Sequence, residues 1–200
     1  MKLYYAPGAC SLAVHIAFRE AGLSPQLVRV DLAGRRTDTG EDFDQLNPRG
    51  YVPVVELDDG SRHTEAAALL QWIGENHQLL PTPASPALMQ ALEWLAFVAT
   101  ELHKAFGPLF NPALDPATRE ATVARLLRRF GTVERHLAGR DWLTGDSFSV
   151  VDAYAFAILG WAQLFKLDMS PFPLVLAYLQ RIAQRPAVQA ALKAEGLVPA

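Results

Sequence analysis

Cysteine is nearly absent from this chain, because Cys10 is the only one among 200 residues. A single thiol excludes an internal disulfide and any metal site built from several cysteines. The five histidines also lack the spacing typical of metal ligands. We therefore expect no resident metal, and the lone thiol favours a reducing, cytoplasmic location.

The chain also lacks an excess of basic residues and any long apolar run. It has 18 Lys and Arg against 21 Asp and Glu, which gives a net charge of −3. This balance does not predict a phosphate-binding surface, so nucleic acid is not an expected partner. The apolar stretch at 153–162 is too short to span a bilayer. The apolar run at the start stops at Pro7, too early for a secretory signal. We expect no membrane partner.

Several catalytic motifs are missing as well. The glycine spacing contains no dinucleotide-binding or phosphate-loop motif, and there is no G-x-S-x-G. The composition itself is that of an ordinary globular protein, with 50% apolar and 20% charged residues. A chain of this length is large enough to bury a core without disulfides.

The first part of the chain alternates between strand and helix patterns. The order is strand, helix, strand, a loop, then strand, strand and helix, which predicts a right-handed crossover and a parallel strand pair. Thr64 is a candidate cap for the last helix. The predicted strands are 3–5, 26–31, 52–57 and 62–63; the predicted helices are 11–22 and 65–77, with a helical turn within 39–47.

From residue 81 onward the pattern is helical only. Proline and small residues at 81–86 predict a linker between a domain at 1–80 and a second domain at 87–200. Ser149 and Asp152 form a capping-box pattern ahead of a very apolar helix. The expected fold class is α/β followed by an all-helical bundle. The predicted helices are 87–110, 116–137, 150–165, 171–184 and 186–194.

Cys10 carries the sharpest chemical signal. It follows a strand and a Pro-Gly turn, at the N-cap position of the first predicted helix. Free N–H groups and the helix dipole at that position favour a thiolate with a lowered pKa. Ala13 replaces the second cysteine of a C-x-x-C spacing, so the thiol could form a mixed disulfide without resolving it internally. The alternative is a buried, inert cysteine.

Two weaker signals lie further along the first domain. Val52-Pro53 opens a strand, and its proline is either a trans edge residue or a cis-proline that exposes the Val52 backbone to an extended ligand. Glu65 lies in the first turn of a predicted helix. It either stabilises the helix dipole or binds a ligand ammonium, while nearby N–H groups bind a carboxylate.

His103 is the candidate in the helical part. Helical spacing places it on one face with Ala96, Ala99 and Phe106. It is either a core or surface histidine whose ring nitrogens are hydrogen-bonded, or a site residue. In the second case the two alanines leave space beside its imidazole.

Together these features resemble the glutathione transferases, and the details are similar to the bacterial beta class. Seven ordered segments, which span essentially the whole chain, carry the resemblance. They are 1–12, 47–54, Thr64-Glu65, 93–95, 101–110 (Glu101-Leu-His103-Lys104 and Pro108-Leu-Phe110), 145–154 (Gly145-Asp and Ser149-Val-Val-Asp152-Ala-Tyr) and 181–186.

The resemblance implies a thioredoxin-like first domain, a helical second domain, a homodimer and glutathione between the domains. Cys10 matches the thiol that contacts or links covalently to glutathione sulfur, and His103 and Lys104 match the contribution of the second domain there. Val52, before the cis-proline Pro53, matches the residue that pairs with the tripeptide backbone.

The γ-glutamyl site matches Glu65 and the following Ala66. Three positions depart from the pattern of the class. Arg35 stands where lysine is usual, Ala66 where glycine or serine is usual, and Ala96 where asparagine is usual. These departures predict weaker glutathione binding, because two polar partners are lost and the geometry of one charge changes.

The resemblance implies a detoxifying transferase. Its reaction is conjugation of glutathione to a small hydrophobic electrophile, or thiol–disulfide exchange through Cys10 as a glutathione-dependent disulfide reductase. The alternative is a non-catalytic dimer that binds hydrophobic ligands and has weak glutathione affinity.

Overall fold

The computed structural model describes residues 1–199, and Ala200, the end of the second predicted domain, lies outside them. The strands are β1 (Lys2–Tyr5), β2 (Gln26–Asp31), β3 (Arg36–Thr37), β4 (Val54–Glu56) and β5 (Arg62–His63). The helices are α1 (Ser11–Glu20), α2 (Phe43–Leu46), α3 (Ala66–Asn76), α4 (Pro86–Phe97), α5 (Lys104–Phe106), α6 (Pro116–His136), α7 (Val150–Leu159), α8 (Trp161–Leu164), α9 (Pro173–Ala183) and α10 (Pro186–Ala194).

The five strands form one mixed sheet in the order β3-β2-β1-β4-β5. The β1–β2 pair is parallel, as the strand–helix–strand pattern predicts, and the other three pairs are antiparallel. β3, which has only two residues, is absent from the sequence prediction. β4 is shorter than predicted: Pro53 has no N–H to donate to a ladder, and at the other end Leu57 donates its N–H to Ser61 across the turn.

The start of α3 differs from the sequence prediction. Thr64 does not cap the helix, and its hydroxyl accepts a hydrogen bond from Arg49 Nη1 at 2.8 Å. Glu65 is the N-cap instead, and its backbone lies in the left-handed region at φ 70°. Glu65 therefore stands just before the first helical turn rather than inside it.

The long helix predicted over 87–110 is interrupted in its middle. α4 begins one residue early, at Pro86, with the Ser85 side chain as its cap. A π-helical segment, Val98–His103, follows α4, and a 3₁₀ turn, Gly107–Phe110, follows α5. Each π turn adds a residue to the repeat, so the i, i+3, i+7 spacing of an ideal helix no longer applies across it.

Two apolar clusters lie on opposite faces of the sheet. On one face, Leu3 and Val55 join a large cluster that continues through α1 and α3 into the helical part. On the other face, Tyr4, Val28 and Phe43 belong to a small cluster covered by α2. Alternate residues of β1, β2 and β4 supply the two clusters, as the period of a β-strand requires.

The helical part of the chain, α4 to α10, packs directly on α1 and α3. Within this contact, α1 lies against α7 and α10. A bidentate ion pair joins Arg185 to Glu20 at 2.6 and 2.8 Å across this contact. Residues 81–85 of the expected linker at 81–86 fall between α3 and α4, and Pro86 is the first residue of α4. The exact domain boundary stays a prediction.

A buried carboxylate organises the start of α7. Asp152 accepts hydrogen bonds from the Ser149 N–H at 2.8 Å, the Leu143 N–H at 3.0 Å and the Tyr178 hydroxyl at 2.7 Å. The capping box between Ser149 and Asp152, which the sequence predicts, is present. It fixes the first turn of the helix at the centre of the apolar core.

Two further properties concern only the described residues. Across 1–199, no helix is both long and apolar enough to cross a membrane. In the same range, no group of three His, Cys, Asp or Glu side chains is arranged to hold a metal ion.

We predict that the buried cap stabilises the fold more than an exposed one. Asp152→Ala should lower the free energy of unfolding by about 3 kcal/mol or more, because it leaves several buried donors unpaired. Asp115→Ala, at the exposed N-cap of α6, should cost about 1 kcal/mol. Urea denaturation measures both, and equal losses would contradict the assignment.

Candidate functional site

Cys10 lies where the chain turns from β1 into α1. Gly8 in this turn has φ 68°, a left-handed conformation that a residue with a Cβ rarely adopts. The buried Ser11 hydroxyl donates to the Ala6 carbonyl at 3.2 Å and closes the turn. Cys10 is the N-cap of α1, as predicted, and its thiol donates to the Val52 carbonyl at 3.3 Å.

The peptide groups of this turn are held by the helical part of the chain. Gly8 donates its N–H to the Glu195 carboxylate at 3.0 Å, and its carbonyl accepts from the Trp161 indole at 2.8 Å. The other Glu195 oxygen lies 2.9 Å from His15 Nδ1, and both side chains are fully buried. We call these four residues the Gly8 clamp.

A cavity of about 260 Å³ opens beside Cys10, between the sheet part of the chain, β1 to α3, and the helical part. It contains seven of the eight site residues expected from the sequence. The lining is Cys10, Tyr51, Val52, Pro53, Glu65, Ala66, Ala67, Ala99, His103, Lys104 and Tyr154. The Val52–Pro53 peptide bond is cis.

The acid–base state of Cys10 differs from the sequence prediction. Burial raises the pKa of the Cys10 thiol to about 12, although backbone N–H groups at Cys10 and Ser11 and the charge of Lys104 act in the opposite direction. The expected lowering is therefore wrong for the unliganded chain, because desolvation outweighs the helix N-terminus. Cys10 is a neutral hydrogen-bond donor in this state.

His103 is neutral as well. Burial, reinforced by the charge of Lys104, lowers the pKa of His103 to about 4. Its Nδ1 lies 2.7 Å from the hydroxyl of Tyr154, whose own pKa is raised by burial. The Trp161 ring and the imidazole pack in an edge-to-face arrangement at a centroid distance of 5.1 Å.

Glu65 is the acidic group of the cavity. Its Oε1 accepts hydrogen bonds from the Tyr51 hydroxyl at 2.7 Å and from Arg49 at 3.3 Å. Its side chain remains half exposed, at 57%. The positive φ of Glu65 orients it at the N-terminus of α3, where the first N–H groups of the helix have no intrahelical acceptor.

Two residues singled out from the sequence do not line the cavity. Arg35 is held by Asp44 at 2.6 Å and donates to the Gly50 carbonyl at 2.6 Å, behind the loop that carries Tyr51. Ala96 is exposed, so the expectation that it enlarges the space beside His103 is wrong for a single subunit. The π-helical segment shifts the helix phase between Ala96 and His103 and explains this error.

Sequence reasoning missed Tyr51 and Tyr154. Tyr51 has a weak signal, because it directly precedes the Val-Pro pair. Tyr154 lies among apolar residues of α7, and a buried tyrosine hydroxyl needs a hydrogen-bond partner. That requirement points to a polar neighbour but does not identify His103.

Comparison with known families decides the relationship. Residues 8–76 match the model for "Glutathione S-transferase, N-terminal domain", and residues 97–186 match "Glutathione S-transferase, C-terminal domain". The chain belongs to the glutathione S-transferase family. The predicted fold class, a thioredoxin-like sheet domain followed by a helical domain, is confirmed.

Individual members of the family show the same relationship. The chain is 42% identical to glutathione S-transferase GstA of Escherichia coli O157:H7, over 98% of this chain and 100% of that protein. It is 26% identical to the disulfide-bond oxidoreductase YfcG of E. coli K12, over 98% of this chain and 96% of that protein.

Solved structures of the family are also similar. A sphingomonad glutathione S-transferase complexed with glutathione has a TM-score of 0.94 and 45% identity. The beta-class glutathione S-transferase of Sphingomonas chungbukensis has a TM-score of 0.94 and 43% identity. Each covers 99% of this chain and 100% of that chain, so the resemblance to the bacterial beta class is confirmed.

We predict that Glu195 stabilises the turn before Cys10. Glu195→Ala leaves the Gly8 N–H and the buried His15 without their partner, and each loss should cost about 1–3 kcal/mol. Glu195→Gln keeps one carbonyl acceptor and should cost less. Urea denaturation measures both variants. A wild-type unfolding free energy in Glu195→Ala would show that the clamp does not stabilise the fold.

We predict slow alkylation of Cys10 by iodoacetamide in the unliganded protein. The thiolate fraction follows the raised pKa, so the rate should keep increasing with pH beyond the free-thiol value of about 8.5. Lys104→Met should slow the reaction and Glu65→Gln should accelerate it, because the two charges act on Cys10 with opposite signs. The urea-unfolded protein is the free-thiol control, and a plateau below its midpoint would contradict the prediction.

Proposed function

We propose that this protein is a glutathione transferase in which the sulfur of bound glutathione attacks a small hydrophobic electrophile. The observation that carries the proposal is the set of groups in the Cys10 cavity. An acidic side chain, a helix N-terminus, the Val52 backbone carbonyl and the side chains of Cys10, His103 and Lys104 lie together there. Glutathione has an ammonium, two carboxylates, a peptide backbone and a thiol, so the groups correspond.

The γ-glutamyl end fits at the start of α3. The Glu65 carboxylate binds the ammonium, and the free N–H groups that begin with Ala66 bind the adjacent carboxylate. The peptide backbone pairs with Val52, and in doing so it replaces the Cys10 thiol on the Val52 carbonyl. The thiol of Cys10 is then free to donate to the sulfur of glutathione.

Arg35 acts only indirectly on glutathione in this proposal. Its guanidinium is committed to Asp44 and Gly50. It supports the loop that carries Tyr51 and would reach the ligand only by giving up the Asp44 ion pair.

The neutral state of Cys10 supports conjugation by glutathione itself. Glutathione loses its thiol proton to water, and the thiolate is stabilised by Cys10, His103 and Lys104. The thiolate forms a carbon–sulfur bond with the electrophile and displaces its leaving group. With an aryl chloride as electrophile, chloride leaves with the bonding electron pair.

Thiol–disulfide exchange is the second candidate, and the similarity to a disulfide-bond oxidoreductase favours it. In this reaction the Cys10 thiolate attacks the glutathione sulfur of a mixed disulfide and releases the other thiolate. A second glutathione thiolate then attacks the Cys10–glutathione disulfide, which releases oxidised glutathione and restores Cys10. The reaction requires a Cys10 thiolate, which the raised pKa disfavours.

We also propose a cytoplasmic homodimer with a role in detoxification. Dimerisation is typical of the family, and exposed aromatic residues on the sheet part, Tyr51 and Trp72, support a partner surface. The opposite charge balances of residues 1–80 and 81–200, −4 and +1, favour contact between the first domain of one subunit and the second domain of the other.

We predict that Glu65→Ala weakens glutathione binding about tenfold to a hundredfold, the loss expected for one hydrogen bond to a charged group. Glu75→Ala is the matched control, because Glu75 lies in the last turn of the same helix and pairs with Gln71. Calorimetric titration with glutathione measures both. Equal affinities in the two variants would remove Glu65 from the ligand site.

The Cys10→Ala variant and the wild-type protein separate the candidate functions. Conjugation of glutathione to chlorodinitrobenzene should persist at a reduced rate in Cys10→Ala, whereas reduction of a mixed disulfide should be lost. Absence of both reactions and of calorimetric glutathione binding in the wild type, with a hydrophobic dye still bound, would favour the ligand-binding dimer.

A further inference from the structure

We propose that Tyr154 is a positioning residue that holds His103 as the tautomer with its hydrogen on Nε2. His103 then acts as a hydrogen-bond donor to the sulfur of the bound thiol, and not as the base that removes the thiol proton. The identity of the thiol, glutathione, rests on the proposed function. The tautomer itself rests on the protein alone.

The hydrogen bond between the two side chains is short and enclosed. The Tyr154 hydroxyl lies 2.7 Å from His103 Nδ1, and Tyr154 is only 2% exposed. Among residues 1–199 the hydroxyl has no other hydrogen-bond partner, and the Cys10 sulfur is not one either. A buried phenol hydrogen needs an acceptor, and Nδ1 is the acceptor within reach.

This arrangement determines where the imidazole hydrogen lies. The lowered pKa of His103, about 4, leaves the ring neutral at physiological pH, so it carries one hydrogen. Since Nδ1 accepts from Tyr154, that hydrogen is on Nε2. The opposite tautomer would direct two hydrogens into the same 2.7 Å gap, or leave the phenol hydrogen without an acceptor.

The Nε2 atom is available to a ligand. His103 lines the same cavity as Cys10 and Glu65. In the described part of the chain Nε2 has no hydrogen-bond partner, and it is not one of the buried unpartnered polar atoms. It is therefore open to the cavity, while Trp161 packs edge-on against the ring and restricts its rotation.

The direction of the hydrogen bond determines the chemistry. An N–H donor stabilises a sulfur anion and stabilises neutral thiol less, so it increases the thiolate fraction of the ligand. The thiol proton goes to water, since Nε2 already carries its hydrogen. Lys104 supplies a positive charge at the same end of the cavity, and Glu65 is the negative group that opposes it.

Nitrogen NMR of the ¹⁵N-histidine-labelled, ligand-free protein tests the tautomer without any activity measurement. We expect the His103 ring, identified as the signals lost in His103→Gln, to show an unprotonated Nδ1 and a protonated Nε2 at neutral pH. A protonated Nδ1 would overturn the proposal, whatever the enzyme does.

Two substitutions of His103 test the donor role. The amide nitrogen of glutamine can occupy the Nε2 position as a donor but cannot act as a base, whereas leucine can do neither. We expect His103→Gln to keep kcat/KM within about fivefold of wild type and His103→Leu to lose about tenfold to a hundredfold, the size expected for a hydrogen bond to a charged group. Equal losses in both variants would indicate a base and contradict the proposal.

Tyr154→Phe tests the positioning step. It should lower kcat about fivefold to tenfold, the effect of one lost hydrogen bond, with the KM for glutathione changed less than about twofold and the His103 nitrogen signals shifted. Tyr5→Phe is the control, because Tyr5 is buried and its hydroxyl makes no hydrogen bond within 1–199. Unshifted His103 signals in Tyr154→Phe would remove Tyr154 from this role.

These outcomes separate the two proposals. If calorimetry shows no glutathione binding to the wild type, the proposed function fails and so does the donor role toward that thiol. The NMR result on the ligand-free chain still decides whether Tyr154 sets the tautomer.

Discussion

The position of Cys10 depends on the backbone of one residue, Gly8. Its N–H and its carbonyl are both bonded to side chains of the helical part, Glu195 and Trp161. A turn of four residues has little packing of its own, and without these bonds two partly buried backbone groups would lose their partners. The thiol, the cavity wall and the start of α1 all follow from where this turn is held.

The cavity combines neutral groups around Cys10 with charged groups at its rim. Burial keeps Cys10, His103 and Tyr154 neutral, while Glu65 and Lys104 are more exposed. Hydrogen bonds to an anion are stronger in a poorly solvated site than in water. A thiolate bound there would be stabilised by oriented N–H and S–H donors.

The order of the elements and several site residues could be predicted from the sequence, because each has a signature in its own stretch of chain. Strand and helix periods gave the order of elements, and Ser149 with Asp152 marked a helix start by spacing alone. Cys10, Val52 and Glu65 were found because each lies at a chain turn or helix end with its own signature. Their grouping in one cavity came from the family resemblance rather than from the residues.

Other features depend on long-range contacts that have no local signature. The pKa of Cys10 follows from what covers it, so the helix position gave the wrong direction. The π-helical segment moved Ala96 out of register with His103. The partnership of Tyr154 with His103 joins residues 51 positions apart, and a single sequence contains no mark of such a pair.

The Gly8 clamp also imposes an order on biosynthesis. Glu195 is added to the chain 187 residues after Gly8, so the ribosome releases the whole sheet half before this contact can form. During translation the nascent sheet can pair its strands, but the segment that carries the thiol lacks its final partner. Cys10 is thus among the first residues made and one of the last to reach its final environment.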